Sequence, residues 1–162
     1  MNSQNHLPMI GVGPLIVIPQ LLLTALGVVL SILGFLGFGE IDILKTPFLI
    51  IGVIVIFFGI YMWFSANFKT KVDKYITENK LATTGTYGIV RNPIYSAFFL
   101  VSFGTVLIAS NWILFIIPIL CWIYMTIFLK QTEEKWLLNL YGQEYIDYCK
   151  KVNRIIPWFT KN

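Results

Sequence analysis

The chain has 162 residues, of which 57% are hydrophobic and only 12% charged, with a formal net charge of +4. That length suits one domain, and the composition is too apolar for an ordinary soluble core. It reads as an integral membrane protein, and anionic lipid headgroups answer the positive charge without any nucleic-acid partner.

Three stretches lack charge. No Asp, Glu, Lys or Arg precedes Glu40, none lies between Lys45 and Lys69, and none between Arg91 and Lys130. In the first, Leu15 to Phe38 is long enough to cross a hydrocarbon layer of about 30 Å, with Pro19 near its start and glycines at 27, 34 and 37. It is too long for a signal peptide and lacks a basic leader and a small-residue cleavage site, so it reads as a retained span. The second span, Pro47 to Phe64, ends in "YMWF", whose Tyr61 and Trp63 suit an interfacial belt.

The third stretch holds two helices if a tight turn divides it, and "ASNW" at 109–112 supplies polar turn chemistry. The expected hairpin runs Tyr95 to Ile108 and Ile113 to Leu129, with arms short enough to imply tilt, thinning or partial re-entry. The expected fold is therefore an all-α integral membrane protein: about four transmembrane helices, including the hairpin, and a C-terminal amphipathic cytoplasmic helix. One domain covers 1–162, divided into two spans (1–64), a loop (65–93), the hairpin (94–129) and a C-terminal segment (130–162).

Charge placement sets the orientation. Lys69, Lys71, Lys74, Lys80 and Arg91 lie in the 65–93 loop, while Lys130, Lys135, Lys150, Lys151, Arg154 and Lys161 follow the last span; only Lys45 falls elsewhere. Positive charge stays inside, so both segments and both termini are expected to be cytoplasmic, in what reads as a bacterial plasma membrane. Cys121 in the fourth span and Cys149 in the tail have no evident disulfide partner, and His6, the only histidine, has no ligand cluster around it, so no metal site is expected.

Two polar concentrations remain on the cytoplasmic half. "GTYGIVRNPIY" (85–95) places Pro93 in the first turn of a helix, where its missing N–H costs nothing, and Asn92 near the N-cap. Taken alone, Asn92 reads as a cap and Arg91 as an interfacial anchor on lipid phosphate. In "KQTEEKWLLNLYGQEYIDYCKKVNRIIPWF", Trp136, Leu137, Leu140, Tyr141 and Tyr145 recur at helical spacing. Glu133 and Glu134 leave the fourth span together, which is costly unless they face a polar cavity. Lys69, Lys71, Lys74, Lys150 and Lys151 read as lipid-facing or solvated, and Trp112, Trp122, Trp136 and Trp158 as belt or packing residues.

Together, "GTYGIVRNPIY" and "TEEKWLLNLYGQEYIDYCKKVNRIIP" resemble the isoprenylcysteine carboxyl methyltransferases and their bacterial and phospholipid-methylating relatives. The resemblance runs from Leu81 to Pro157, and the first two spans share only hydrophobicity with that family. It implies S-adenosylmethionine as methyl donor, S-adenosylhomocysteine as product and no metal, in a cytoplasm-facing pocket between the hairpin and the C-terminal segment. Tyr87, Val90, Arg91, Asn92, Pro93 and Tyr95 would contact the cofactor or frame its pocket, with free N–H groups at the helix start meeting its carboxylate. Glu133 and Glu134 would accept hydrogen bonds from its ammonium or ribose, or orient a base.

Arg91, Lys130 and Glu133 are the catalytic candidates: the cations to orient a carboxylate acceptor, the glutamate to serve an amine acceptor. Where the best-known prenylcysteine enzymes carry His, this chain has Asn92, which binds but cannot act as acid or base. The implied acceptor is lipophilic and enters from the bilayer: a carboxylate first, then a phospholipid amine, then a thiol. The reading from another class is a non-enzymatic membrane module whose tail helix docks a partner. The sequence carries no signal for oligomeric state.

Overall fold

The computed structural model describes residues 12–70, 75 and 77–157. His6, Lys71, Lys74, Trp158 and Lys161 lie outside the described residues, as does the N-terminal tail before Val12. Among the described residues the regular structure is helical: α1 (Gly13–Ile32), α2 (Lys45–Phe64), α3 (Pro93–Ala109), α4 (Ile116–Gln131), α5 (Glu133–Tyr141) and α6 (Gln143–Lys151).

Pro14 opens α1, where a missing N–H is tolerated, and 20 residues at 1.5 Å each carry the helix about 30 Å. The helix stops at Ile32, six residues short of the expected Phe38, because Gly34 adopts a left-handed φ of 83° that the helix cannot continue through. A short 3-10 turn, Gly37–Gly39, follows. α2 also has 20 residues and runs on through a π-helical turn at Ser65–Lys69.

Helices α2 and α3 meet backbone to backbone through small residues. A Cβ on Gly52 would lie 2.7 Å from the Gly104 carbonyl oxygen, one on Gly104 2.6 Å from the Gly52 oxygen, and one on Gly59 2.9 Å from the Ala97 oxygen. Such close approach is how helices associate where lipid removes the hydrophobic drive between them. The opposite side of α2 is left apolar and exposed at Ile50, Ile54 and Phe57, as a lipid-facing side should be.

The hairpin turn falls where the polar "ASNW" run predicts it. Ser110 takes a left-handed φ of 51°, and Asn111, fully buried, accepts from the Ile113 N–H at 3.0 Å. The Asn111 amide donates to Ser31 Oγ at 3.1 Å and to the Leu36 carbonyl at 2.8 Å, pinning the turn to the end of α1. Ile41 N–H donates to the Ser110 carbonyl at 2.8 Å. These contacts gather residues 33–44 and 110–112 at one end of the bundle.

The stretches Gly13–Ile32, Asp42–Lys69 and Trp112–Tyr141 are long and apolar enough to cross a bilayer, which makes this an integral membrane protein. The first arm of the hairpin, α3, is a shorter apolar helix of 17 residues that lies against α2. The expected single C-terminal amphipathic helix is two, α5 and α6, broken at Gly142, whose φ of 53° interrupts the helix. Tyr145, Tyr148 and Val152 pack there with Leu81, Leu137 and Tyr141, while Trp136 and Leu140 of the expected apolar stripe stay exposed.

Candidate functional site

The other end of the bundle collects the polar residues. After α6 the chain extends through Val152–Ile155 and lies alongside Val90–Asn92 as a parallel bridge between Val90 and Asn153. Arg91 N–H donates to the Asn153 carbonyl at 2.8 Å, and Asn92 N–H to the Arg154 carbonyl at 3.2 Å. The Asn92 side-chain amide also donates to the Arg154 carbonyl, at 3.0 Å, and the Ser96 hydroxyl donates to the Ile155 carbonyl.

This strap corrects one expectation. Asn92 does occupy the N-cap of α3, but its side chain makes no cap hydrogen bond and reaches for the tail instead. The Arg91 and Asn92 amides, just ahead of the helix start, are taken by tail carbonyls. Pro93 and Val90 are buried under the strap, Val90 against Met62 and Ala97. Tyr87 is half-buried, and its carbonyl accepts from the Tyr148 hydroxyl at 2.5 Å.

The two glutamates face different partners. Glu133 Oε1 accepts from the Tyr95 hydroxyl at 2.5 Å and from the Val12 N–H at 3.4 Å, joining α5 to α3 and to the start of α1. Glu134 stands between two arginines. Arg154 donates to it from Nε at 2.6 Å and Nη2 at 2.9 Å, a bidentate grip that raises the Arg154 pKa above its ordinary value. Arg91 Nη1 lies 3.3 Å from the same carboxylate. With side chains only 8% and 12% exposed, Arg91 and Glu134 form an interior pair rather than a surface one.

Arg91 therefore does not serve as an anchor on lipid phosphate. Its Nη1 also donates to the Tyr145 hydroxyl at 3.4 Å and to Cys149 Sγ, and its Nε is buried with no hydrogen-bond partner among the described residues. Burial pushes the Tyr145 phenol up from its ordinary value, with the Glu134 charge adding to the effect.

Beside this cluster lies a cleft of about 460 Å³ lined by Arg91, Lys130, Glu134, Lys135, Tyr145, Cys149 and Arg154, among others. The volume is within the roughly 300–1,000 Å³ range of small-molecule sites. Lys130 sits exposed at the end of α4 and pairs with no carboxylate among the described residues.

The two sequence boxes thus meet in space, with Tyr95 on Glu133 and Arg91 on Glu134. Residues 43–144 match the family model described as phospholipid methyltransferase. The chain belongs to that family. The match begins at Ile43 and so takes in α2, which the sequence reading had credited only with hydrophobicity.

Among curated proteins, the chain is 35% identical over 83 residues to a protein-S-isoprenylcysteine O-methyltransferase of Schizosaccharomyces pombe, covering 49% of this chain and 34% of that one. It is 34% identical over 96 residues to the protein of the same name in Saccharomyces cerevisiae, covering 59% and 38%. Methanethiol S-methyltransferase 1 of Bradyrhizobium diazoefficiens is 32% identical over 87 residues, covering 54% and 30%. The chain thus spans about a third of the length of these relatives.

Several residues of the site were not assigned to it from the sequence: Arg154, Tyr145 and Cys149 beside Arg91, Ser96 under the strap, and Val12 on Glu133. Arg154 was counted only among tail charges, although two adjacent glutamates leaving a membrane span already call for cations nearby.

Proposed function

We propose that the chain is an S-adenosylmethionine-dependent membrane methyltransferase acting on a lipophilic acceptor, with a carboxylate as the first candidate. The observation that carries this reading is the convergence of Tyr95 with Glu133 and of Arg91 with Glu134, in a chain of the phospholipid methyltransferase family.

The side chains suit the donor. Its carboxylate asks for a hydrogen-bond donor, and Arg91 Nε is a buried one left without a partner among the described residues. Its ammonium and ribose ask for acceptors, and Glu133 is held in place by Tyr95. When bound, S-adenosylmethionine supplies a methyl group on a sulfonium, whose in-line transfer neutralises charge.

The chain's own residues then have distinct tasks. Glu134, gripped by Arg154, fixes the Arg91 guanidinium so that its orientation is set before binding. Tyr95 and the Val12 amide orient Glu133. With Arg91 engaged by Glu134, Lys130 is the cation better placed to meet an anionic acceptor, and Glu133 the residue to take a proton from an amine. Apolar, lipid-facing helix surfaces support entry of the acceptor from the bilayer.

The same geometry supports a reading of orientation. Lys69, Lys80 and Arg91 of the 65–93 loop and Lys130, Lys135, Lys150, Lys151 and Arg154 after α4 gather at the site's end, while Lys45 at the opposite end is offset by Asp42 at 2.7 Å and Glu40 at 3.3 Å. That asymmetry supports a cytoplasmic site and anionic headgroups around it. A thiol acceptor is the second reading, favoured by the similarity to a protein named as a methanethiol S-methyltransferase.

Calorimetric titration of the purified protein in nanodiscs with S-adenosylmethionine and S-adenosylhomocysteine tests the proposal. Saturable binding to wild type, abolished in folded Glu133→Ala and weakened in Asn92→Ala, is expected. No binding to folded wild type, with or without acceptor lipid, would overturn it in favour of a non-enzymatic membrane module. Labelled methyl transfer to a prenylcysteine, an ethanolamine phospholipid or methanethiol then separates the acceptors.

A further inference from the structure

Helix α1 carries a proline in its interior, Pro19, so the Leu15 carbonyl lacks the N–H that a helix brings four residues on. The Tyr124 hydroxyl of α4 donates to that carbonyl at 2.8 Å. A neighbouring helix can repair a proline break inside a membrane in this way. The Tyr124 ring packs against Phe128, with centroids 5.5 Å apart. Leu15 and Tyr124 are both exposed, so their bond lies on the lipid-facing side of the seam between α1 and α4.

The two sides of Pro19 are held unequally. Beyond it, the Gln20 amide donates to Ser102 Oγ of α3 at 3.0 Å with both residues buried, a Cβ on Gly27 would collide with Ile117, and Ser31 receives the Asn111 amide. Ahead of it, residues 12–18 make two hydrogen bonds to other elements among the described residues. These are Leu15 to Tyr124 and the longer Val12 N–H to Glu133, at 3.4 Å. Beneath this loosely held segment lies the site. A Cβ on Gly13 would touch the Tyr95 ring at 3.7 Å, Ile16 is fully buried in one cluster with Tyr95, Met125 and Leu129, and Glu133 accepts from both Val12 and Tyr95.

We propose that the seam between α1 and α4 is the doorway by which a lipophilic acceptor reaches Tyr95 and Glu133 from the bilayer. Residues 12–18 are the door, Pro19 is its hinge and the Tyr124 hydroxyl its latch, so Tyr124 is a positioning residue that touches no reacting atom. Turning at Pro19 breaks no N–H bond of that residue, because it has none to break. Release of Leu15 from Tyr124 opens Ile16 and Tyr95 to the lipid side and removes one of the two bonds that hold Glu133. The charged cleft beside Arg91 is a poor route for an apolar chain, since the cations and Glu134 along it would lose water without gaining a partner. That the occupant is a methyl acceptor rests on the proposed methyl transfer; the doorway does not.

Photolabelling of the full chain in nanodiscs with a diazirine-bearing palmitic acid, with adducts mapped by mass spectrometry, tests the doorway. In wild type, adducts are expected at Ile16 and Tyr95, although both are buried, as well as on lipid-exposed Phe57. Relative to Phe57, Tyr124→Phe, which keeps the ring and removes the latch, should raise labelling of Ile16 and Tyr95 roughly threefold or more, the effect of one typical hydrogen bond. Pro19→Ala, which restores an N–H to the Leu15 carbonyl, should lower it, and in that background Tyr124→Phe should change little. Met62, buried in the separate cluster with Val90 and Ala97, is the internal control for general loosening. Labelling confined to exposed side chains in wild type and Tyr124→Phe alike, or rising equally at Met62, would overturn the doorway. Neither S-adenosylmethionine nor turnover enters this test, so a donor titration that shows no binding would strike the methyl-transfer reading alone.

Discussion

Arg154 holds Glu134 by two hydrogen bonds, Nε to Oε1 at 2.6 Å and Nη2 to Oε2 at 2.9 Å, so the second glutamate of the pair is committed within the chain. Arg154 is the third residue of the extended strap, and its carbonyl receives both the backbone and the side-chain N–H of Asn92. One residue therefore joins the two sequence boxes, by its side chain to one and by its backbone to the other.

Removing either partner should weaken this end of the bundle, but unequally. Arg154→Met deletes two charge-assisted bonds, at about 1.5–3 kcal/mol, and leaves Glu134 with Arg91. Glu134→Ala leaves the 8%-exposed Arg91 with no carboxylate and should cost more, toward the roughly 3–5 kcal/mol of a broken buried pair. Tryptophan-fluorescence unfolding in mixed micelles measures the order; equal, small effects would count against an interior cluster.

The strap gives a second prediction. Asn92 presents its amide N–H to the Arg154 carbonyl at 3.0 Å, so Asn92→Asp sets an oxygen against an oxygen in a position only 9% exposed. The loss should be roughly 1–3 kcal/mol or more, and Asn92→Ala, which removes the bond without repulsion, should lose less. Limited trypsin digestion reads this at Arg154: cleavage should be fastest in Asn92→Asp, intermediate in Asn92→Ala and slowest in wild type. Unchanged cleavage in Asn92→Asp would mean that the strap does not rely on this bond.

Packing of α2 on α3 supplies a third. Gly104→Ala would put a Cβ 2.6 Å from the Gly52 oxygen and 2.7 Å from Ile56 Cγ1, so the helices must part. Overpacking of this kind costs about 1–3 kcal/mol. Gly37, with nothing within 4 Å of its would-be Cβ, is the matched control, and Gly37→Ala should be near neutral. Detergent-denaturation midpoints should fall for the first and hold for the second.

The sequence showed the spans because charge-free runs in a membrane protein have few other uses, and it showed the hairpin because Ser110 and Asn111 are turn residues in an apolar stretch. It showed the start of α3 through Pro93. Gly142 was legible too, as a glycine inside a helical pattern, but the periodicity around it was read through. What it concealed were pairings over distance. Arg154 meets Glu134 across 20 residues, and Asn111 meets Ser31 across 80. Neither shows in local pattern, and the extended tail that makes the first pairing has no periodicity to announce it.

Alkaline pH offers the last prediction, because burial raises the phenol pKa values of both Tyr145 and Tyr148 above the ordinary value of 10.0. Below that value both phenols are protonated in the folded and unfolded chain alike, so they add no pH dependence. Above it the unfolded chain loses these protons first and binds fewer than the folded one, so stability falls as pH rises. The unfolding midpoint should hold between pH 7 and about pH 9.5, then drop, with tyrosinate absorbance appearing together with unfolding. Tyr148→Phe should remove part of the drop, at the cost of the bond to the Tyr87 carbonyl, about 1 kcal/mol, at every pH. Ionisation of both tyrosines ahead of unfolding would show instead that the α6 packing leaves them open to water.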